Sequence, residues 1–204
     1  TTPSCTARLR EHLLAHLVCP GRHTLSGLIT VFGKQFEDWT SHYSLYAKDR
    51  VDAQAIFGEV RRQVEALGKR GGTLSVALDD TILRKSGRHI PGTAWRKDPL
   101  GPPFQVNLAW AQREVALSAA VVDANNDVRM VPIGLHDAST PQKPRKTAPP
   151  EQWKQYKEQM KQRNLNAIAL EALQTLQDQR TRESGGRETP ALRVLVDGSY
   201  TNKR

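Results

Sequence analysis

Two short apolar runs that stop on aspartate constrain this chain more than any other feature. They are Leu74-Ser75-Val76-Ala77-Leu78-Asp79-Asp80-Thr81 and Leu192-Arg193-Val194-Leu195-Val196-Asp197-Gly198-Ser199. Runs of this length, rich in Val and Leu and bounded by Gly and polar residues, predict buried strands. Between them, residues 151–180 contain strong helix formers throughout, and Leu165, Ile168, Ala169, Ala172, Leu173 and Leu176 trace one apolar stripe. A strand, a covering helix and a second strand in that order call for a crossover, so the last strand is expected to return parallel to the first.

The segments between follow from the same reasoning. Residues 84–101 read as a long basic loop or ragged arm, and residues 104–110 and 115–122 as two β-runs joined by a short antiparallel turn. Asp123-Ala124-Asn125-Asn126-Asp127 is a turn cluster, and residues 128–135 form a short strand or extended return. Residues 139–150, with four prolines, are an exposed basic connection. The predicted order is strand, strand, strand, helix, strand: an α/β fold with the mixed sheet of an RNase H-like domain.

Upstream the pattern is helical. Residues 7–18 carry Leu9, Leu13, Leu14 and Leu17 at helical spacing. Thr24 can cap a second helix, residues 36–48 suggest short helices, and Asp52 can cap a helix over 53–67 with Ile56, Val60, Val64 and Leu67 on one face. Gly68-Lys69-Arg70-Gly71-Gly72 then separates a helical region, residues 1–70, from a sheet domain, residues 71–204.

Composition narrows the function. A net charge of +9 and a pI near 9.8 favour polyanionic partners. Arg84, Lys85, Arg88, Arg96 and Lys97 follow the first acidic strand, and Lys143, Arg145 and Lys146 open a second basic cluster. Cys5 and Cys19 alone support neither a disulfide framework nor a zinc site, which fits a reducing cytoplasm. No apolar stretch approaches a membrane span, and the absence of an initiator Met leads us to expect part of a longer reading frame.

If the two strands are neighbours, their terminal carboxylates converge on one sheet edge. Oxygen ligands of that kind hold Mg²⁺, or Mn²⁺, and two such ions assist phosphodiester cleavage. Adjacent residues of a strand face opposite sides, so only one of Asp79 and Asp80 can share a site with Asp197. Asp79 is the better choice, because it and Asp197 are each followed two residues later by a hydroxyl residue.

The strings Leu78-Asp79-Asp80-Thr81-Ile82-Leu83-Arg84-Lys85-Ser86-Gly87, Trp95-Arg96-Lys97-Asp98-Pro99 and Val196-Asp197-Gly198-Ser199-Tyr200 resemble DDE-superfamily insertion-sequence transposases with an RNase H-like core. His42-Tyr43-Ser44-Leu45-Tyr46 through Arg50 resembles their helical N-terminal segment. The resemblance implies DNA cleavage and strand transfer by a metal-bound Asp-Asp-Glu triad, with Asp79 or Asp80 first and Asp197 second. It implies metal ligation by Asp79 and Asp197, phosphate contacts from the two basic clusters, and transposon ends and target DNA as partners. A nucleoid-associated homo-oligomer is the form expected when full length. The third acid would follow Asp197, and residues 198–204 contain no Glu or Asp. The rival expectations are a basic DNA-binding protein without catalysis and an RNase H-like nuclease acting on RNA or branched DNA.

Overall fold

The computed structural model describes residues 3–48, 50–67, 72–87, 89–98, 100–102, 104–185 and 189–197. Among them are six helices and five strands, a mixed α/β architecture whose strands form one mixed sheet. The chain divides into two compact units, Thr1–Ile56 and Phe57–Arg204. This boundary differs from the expected one near residue 70, because the helix before the glycine-rich stretch packs with the sheet.

The first unit contains α1 (Pro3–Val18), α2 (Leu25–Val31) and α3 (Thr40–Ala47). Thr24 caps α2, its hydroxyl accepting the Gly27 N–H at 3.2 Å. The buried face of α1 is not its leucine stripe. Leu13, Leu14 and Leu17 are exposed, whereas Cys5, His12 and Ala15 are buried. The helix is turned by a polar contact: His12 hydrogen-bonds His42 through one ring nitrogen and Tyr46 through the other, each at 2.8 Å. Burial and the neighbouring imidazole depress the pKa of His12, and burial does the same to His42.

In the second unit, α4 (Ala53–Leu67) is followed by β1 (Leu74–Arg84), β2 (Ala94–Lys97), β3 (Leu108–Val122), β4 (Val128–Asp137), α5 (Pro150–Gln162), α6 (Leu165–Ser184) and β5 (Leu192–Val196). Strand β3 is central. It pairs antiparallel with β1 on one side and with β2 and β4 on the other, while β5 pairs parallel with β1. The expected parallel return of the last strand is therefore present. Leu74, Val76, Leu78, Val115, Leu117 and Ala119 share one sheet face and form the core with Val64 of α4 and Ile168, Ala169, Ala172 and Leu176 of α6. Each fully buried side chain of this size stabilises by about 1.5–3 kcal/mol.

Five expectations are corrected here. Strand β1 does not stop at Asp79 but runs on to Arg84, because Asp80 finds Arg113 across the ladder. Residues 104–122 do not make a two-stranded hairpin. Phe104 and Val106 are exposed outside the sheet, and β3 runs unbroken through Arg113 and Glu114 because both charges find surroundings there, as shown below. The arm at 84–101 contains the short strand β2. The long helix is two helices, separated at Arg163-Asn164, where the Asn164 side chain caps α6 by accepting the Ala167 N–H at 2.8 Å. Strand β4 is also longer than the short return expected. It accommodates Pro132 at a register shift opposite Leu117 and Ser118, where an edge strand tolerates a missing donor.

A charged network joins α4 to α6. Glu65 Oε1 accepts from Arg61 Nη1 at 3.1 Å and from Arg180 Nε at 2.9 Å. Arg61 also donates to Glu183 at 2.7 Å, and Arg180 donates to the Pro190 carbonyl at 3.0 Å, two residues before β5 begins. Arg61 and Arg180 are 1% and 4% exposed, so they bring charge into the interior only because these partners are present.

Candidate functional site: two aspartates beside a parallel strand pair

The parallel register places Leu78 of β1 opposite Val196, the last residue of β5; Asp79 comes next within β1, which runs on to Arg84, and Asp197 is the first residue past β5. Neighbouring strands lie about 4.8 Å apart, so the two backbones carry these carboxylates side by side. Asp79 lies on the face of β1 opposite Leu78, and both aspartates are exposed. The core face is the other one, holding Leu78 and Val196. Asp79 Oδ1 accepts the N–H of Asp80 at 2.8 Å, which steadies its side chain against the strand.

Asp80 is not part of this pair. Strand alternation sends it to the core face, where Arg113 of β3 donates to its Oδ2 at 2.7 Å from both Nε and Nη2. The two consecutive acids of β1 thus serve opposite faces. Thr81 lies on the Asp79 face, opposite Glu114.

Glu114 and Asp137 are opposite one another on β3 and β4, on the same face as Asp79. Glu114 is only 9% exposed, and burial, then the charge of Asp137, raises its pKa. Lys85 and Arg96 oppose that shift. The loop between β1 and β2 helps bury this region. Trp110 Nε1 donates to the Gly87 carbonyl at 3.0 Å, Gln112 to the Pro91 carbonyl at 2.8 Å, and Gly92 comes so close to Ser139 that a Cβ there would lie 3.0 Å from the serine's own. Asp137 accepts from the Ser139 hydroxyl at 2.8 Å and from Arg163 at 3.1 Å. Ser139 and Arg163 depress its pKa against the opposing effect of burial.

The basic residues are dispersed. Arg84 pairs with Asp98, and Lys85 and Arg96 are half-buried near Glu114. Lys97 is exposed, and Arg88 lies outside the described residues, as do Gly198, Ser199 and Tyr200. Lys143 stands 6.0 Å from the centre of the Trp153 ring. With Arg145, Gln152 and Tyr156 it lines an open cleft of about 310 Å³, and Lys146 is exposed beside it. Trp95 is exposed and meets half-buried Trp110 edge-on at 5.6 Å. His136 is half-buried with its pKa lowered by burial.

Arg113, Glu114 and Asp137 were missed in the sequence. The adjacent charges Arg113-Glu114 inside an otherwise apolar run were the available signal: if the run is one strand, both must find buried partners.

The donor chemistry of Asp79 and Asp197 fits a hard divalent cation, since it offers exposed carboxylate oxygens and no nitrogen or sulfur. Among the described residues no group of three or more His, Cys, Asp or Glu side chains is assembled as a metal site. Also among them, no helix is long and apolar enough to cross a membrane. No protein-family model, curated protein or solved structure matches the chain.

Proposed function

We propose that this chain carries the helical N-terminal region and the first part of the RNase H-like catalytic domain of a DDE-superfamily transposase, an enzyme that cuts and joins DNA phosphodiester bonds. One observation carries the reading: β1 and β5 run parallel in a register whose last pair, Leu78 and Val196, is followed directly by Asp79 on one chain segment and Asp197 on the other. Two bare carboxylates placed together repel, and a shared cation relieves that repulsion. Asp79 and Asp197 would hold Mg²⁺ or Mn²⁺, which supplies charge neutralisation at a phosphodiester and lowers the pKa of a bound water.

The chain's own residues would do the rest. Asp79 is oriented by its bond to the Asp80 N–H, and Asp80 holds Arg113 instead of metal. The exposed cations Arg84, Lys97 and Lys143 to Lys146 would attract the DNA backbone of transposon ends and target, releasing counterions. The protein would act in the cytoplasm on nucleoid DNA, as a homo-oligomer.

The test is nicking of supercoiled DNA in Mg²⁺ by the protein expressed from its complete reading frame. Asp197→Asn is expected to abolish cleavage while duplex binding in EDTA stays within about twofold of wild type. Nicking by that variant at the wild-type rate would overturn the assignment.

A second reading is a basic DNA-binding protein without catalysis. It is favoured by the net charge of +9, which by itself attracts a polyanion. In that case DNA binding would depend on salt and be indifferent to Mg²⁺, and no variant at Asp79 or Asp197 would change any property of the DNA.

A further inference from the structure

On the core side of the sheet, past the end of the α6-covered hydrophobic cluster, Asp80, Ile82, Trp95, Arg96, Lys97 and Arg113 line a pocket of about 300 Å³. Three of its six residues are cationic and one is acidic. Asp80 is already engaged, gripping Arg113 and fixing that guanidinium in the pocket wall. Arg96 is in a different position. Its Nε donates to the Ala111 carbonyl at 3.3 Å, which anchors the head group, but its buried Nη2 has no acceptor. A buried guanidinium N–H without an acceptor loses water and gains nothing in return. Burial and the nearby Arg113 both act against the charge of Arg96, and Asp137, Asp80 and Glu114 favour it.

We infer that this pocket is a phosphodiester subsite, in which Arg96 and Arg113 take the non-bridging oxygens of one DNA phosphate and Lys97 stands at its rim. Asp80 is then a positioning residue, holding Arg113 in place. An oxyanion in the pocket separates the like charges of Arg96 and Arg113, and guanidinium forks match its geometry. The inference rests on the proposed DNA reading and adds to it a defined contact on the face away from Asp79. A strand held there would be anchored independently of the carboxylate pair.

The test uses the whole chain in EDTA, which removes any contribution from metal at Asp79 and Asp197. Binding of a fluorescein-labelled duplex is followed by anisotropy across a KCl series, with nitrogen-15 spectra of the arginine Nε–H groups recorded during titration with the dinucleotide dTpT or with inorganic phosphate. Arg96→Gln and the exposed-site variant Lys97→Gln are each expected to flatten the slope of log K against log[KCl] by about 0.9. The Arg96 and Arg113 resonances are expected to shift with dTpT and to do so less in Lys97→Gln. Lys97 is exposed, so that variant keeps the test decisive if Arg96→Gln fails to fold. Wild-type slopes in Lys97→Gln and every folded Arg96 variant, or arginine resonances that respond to inorganic phosphate and not to dTpT, would overturn the subsite while leaving the DNA reading standing. Failure of the wild-type chain to bind duplex at all would overturn both.

Discussion

Removing the Glu65 carboxylate tests whether the charged network between α4 and α6 holds the start of β5, the strand that Asp197 follows. Its Oε1 is shared by two arginines whose side chains are 1% and 2% exposed, while Glu65 itself is 32% exposed. Breaking a fully buried pair costs about 3–5 kcal/mol. Here Arg61 retains Glu183, Arg180 retains Gln177 and the Pro190 carbonyl, and solvent reaches Glu65, so the expected loss for Glu65→Ala is about 2–3 kcal/mol. With a urea m-value of about 2 kcal/mol/M for a unit of this size, the midpoint should fall by about 1–1.5 M. Glu59→Ala, which removes an exposed partner of Arg62 on the same helix, should leave the midpoint unchanged. Because Arg180 fastens the chain just before β5, amide exchange over Leu192–Val196 should accelerate in Glu65→Ala. A midpoint shift below about 0.3 M, or one no larger than that of Glu59→Ala, would refute the reasoning.

Other outcomes follow from the same structure. Leu78→Ala, beneath Asp79 and 2% exposed, should destabilise the sheet unit by about 2–5 kcal/mol in urea titrations. Mg²⁺ at saturating concentration should raise the melting temperature of the wild-type chain and not that of Asp79→Asn, a calorimetric readout that needs no cleavage. The raised pKa of Glu114 means that the unfolded chain releases this proton first, so its contribution to stability is intact below the ordinary glutamate range and is lost as pH rises through the higher folded-state value. Glu114→Gln should therefore flatten the fall in unfolding free energy across that window. For His12 and His42 the sign is reversed: their depressed pKa values give stability that is present above the ordinary histidine range and lost as pH falls through the lowered values. The protection factors of amides within Pro3–Val18 should fall on acidification, and His42→Gln should weaken that response.

The elements most legible in the sequence were those whose burial is periodic and local. Strands β1 and β5 showed as apolar runs with abrupt acidic ends, and the α6 stripe matches the buried Ile168, Ala169, Ala172 and Leu176 with Leu165 and Leu173 packed alongside. Caps at Thr24 and Asp52 were also readable, because a cap is a bond between residues three apart. What escaped depended on partners distant in sequence. The face that α1 buries is set by His42 and Tyr46 through hydrogen bonds, and its leucines gave the wrong answer. The continuity of β3 depends on Asp80 meeting Arg113 and on Glu114 finding a place under the β1–β2 loop.

Sequence alone was enough to establish which segments want to be strands and helices, that a helix intervenes before a parallel return, and that an aspartate closes each of the two key apolar runs, since all of these reside in local pattern and chain order; that β1 continues past Asp79 to Arg84 was not legible there. Only the tertiary structure decided that Asp80 turns to Arg113 on the core face while Asp79 stays on the opposite, exposed face. Alternation says that consecutive side chains diverge, but which one meets a given neighbour is set by the register between strands, and that register comes from packing the whole apolar face against α6.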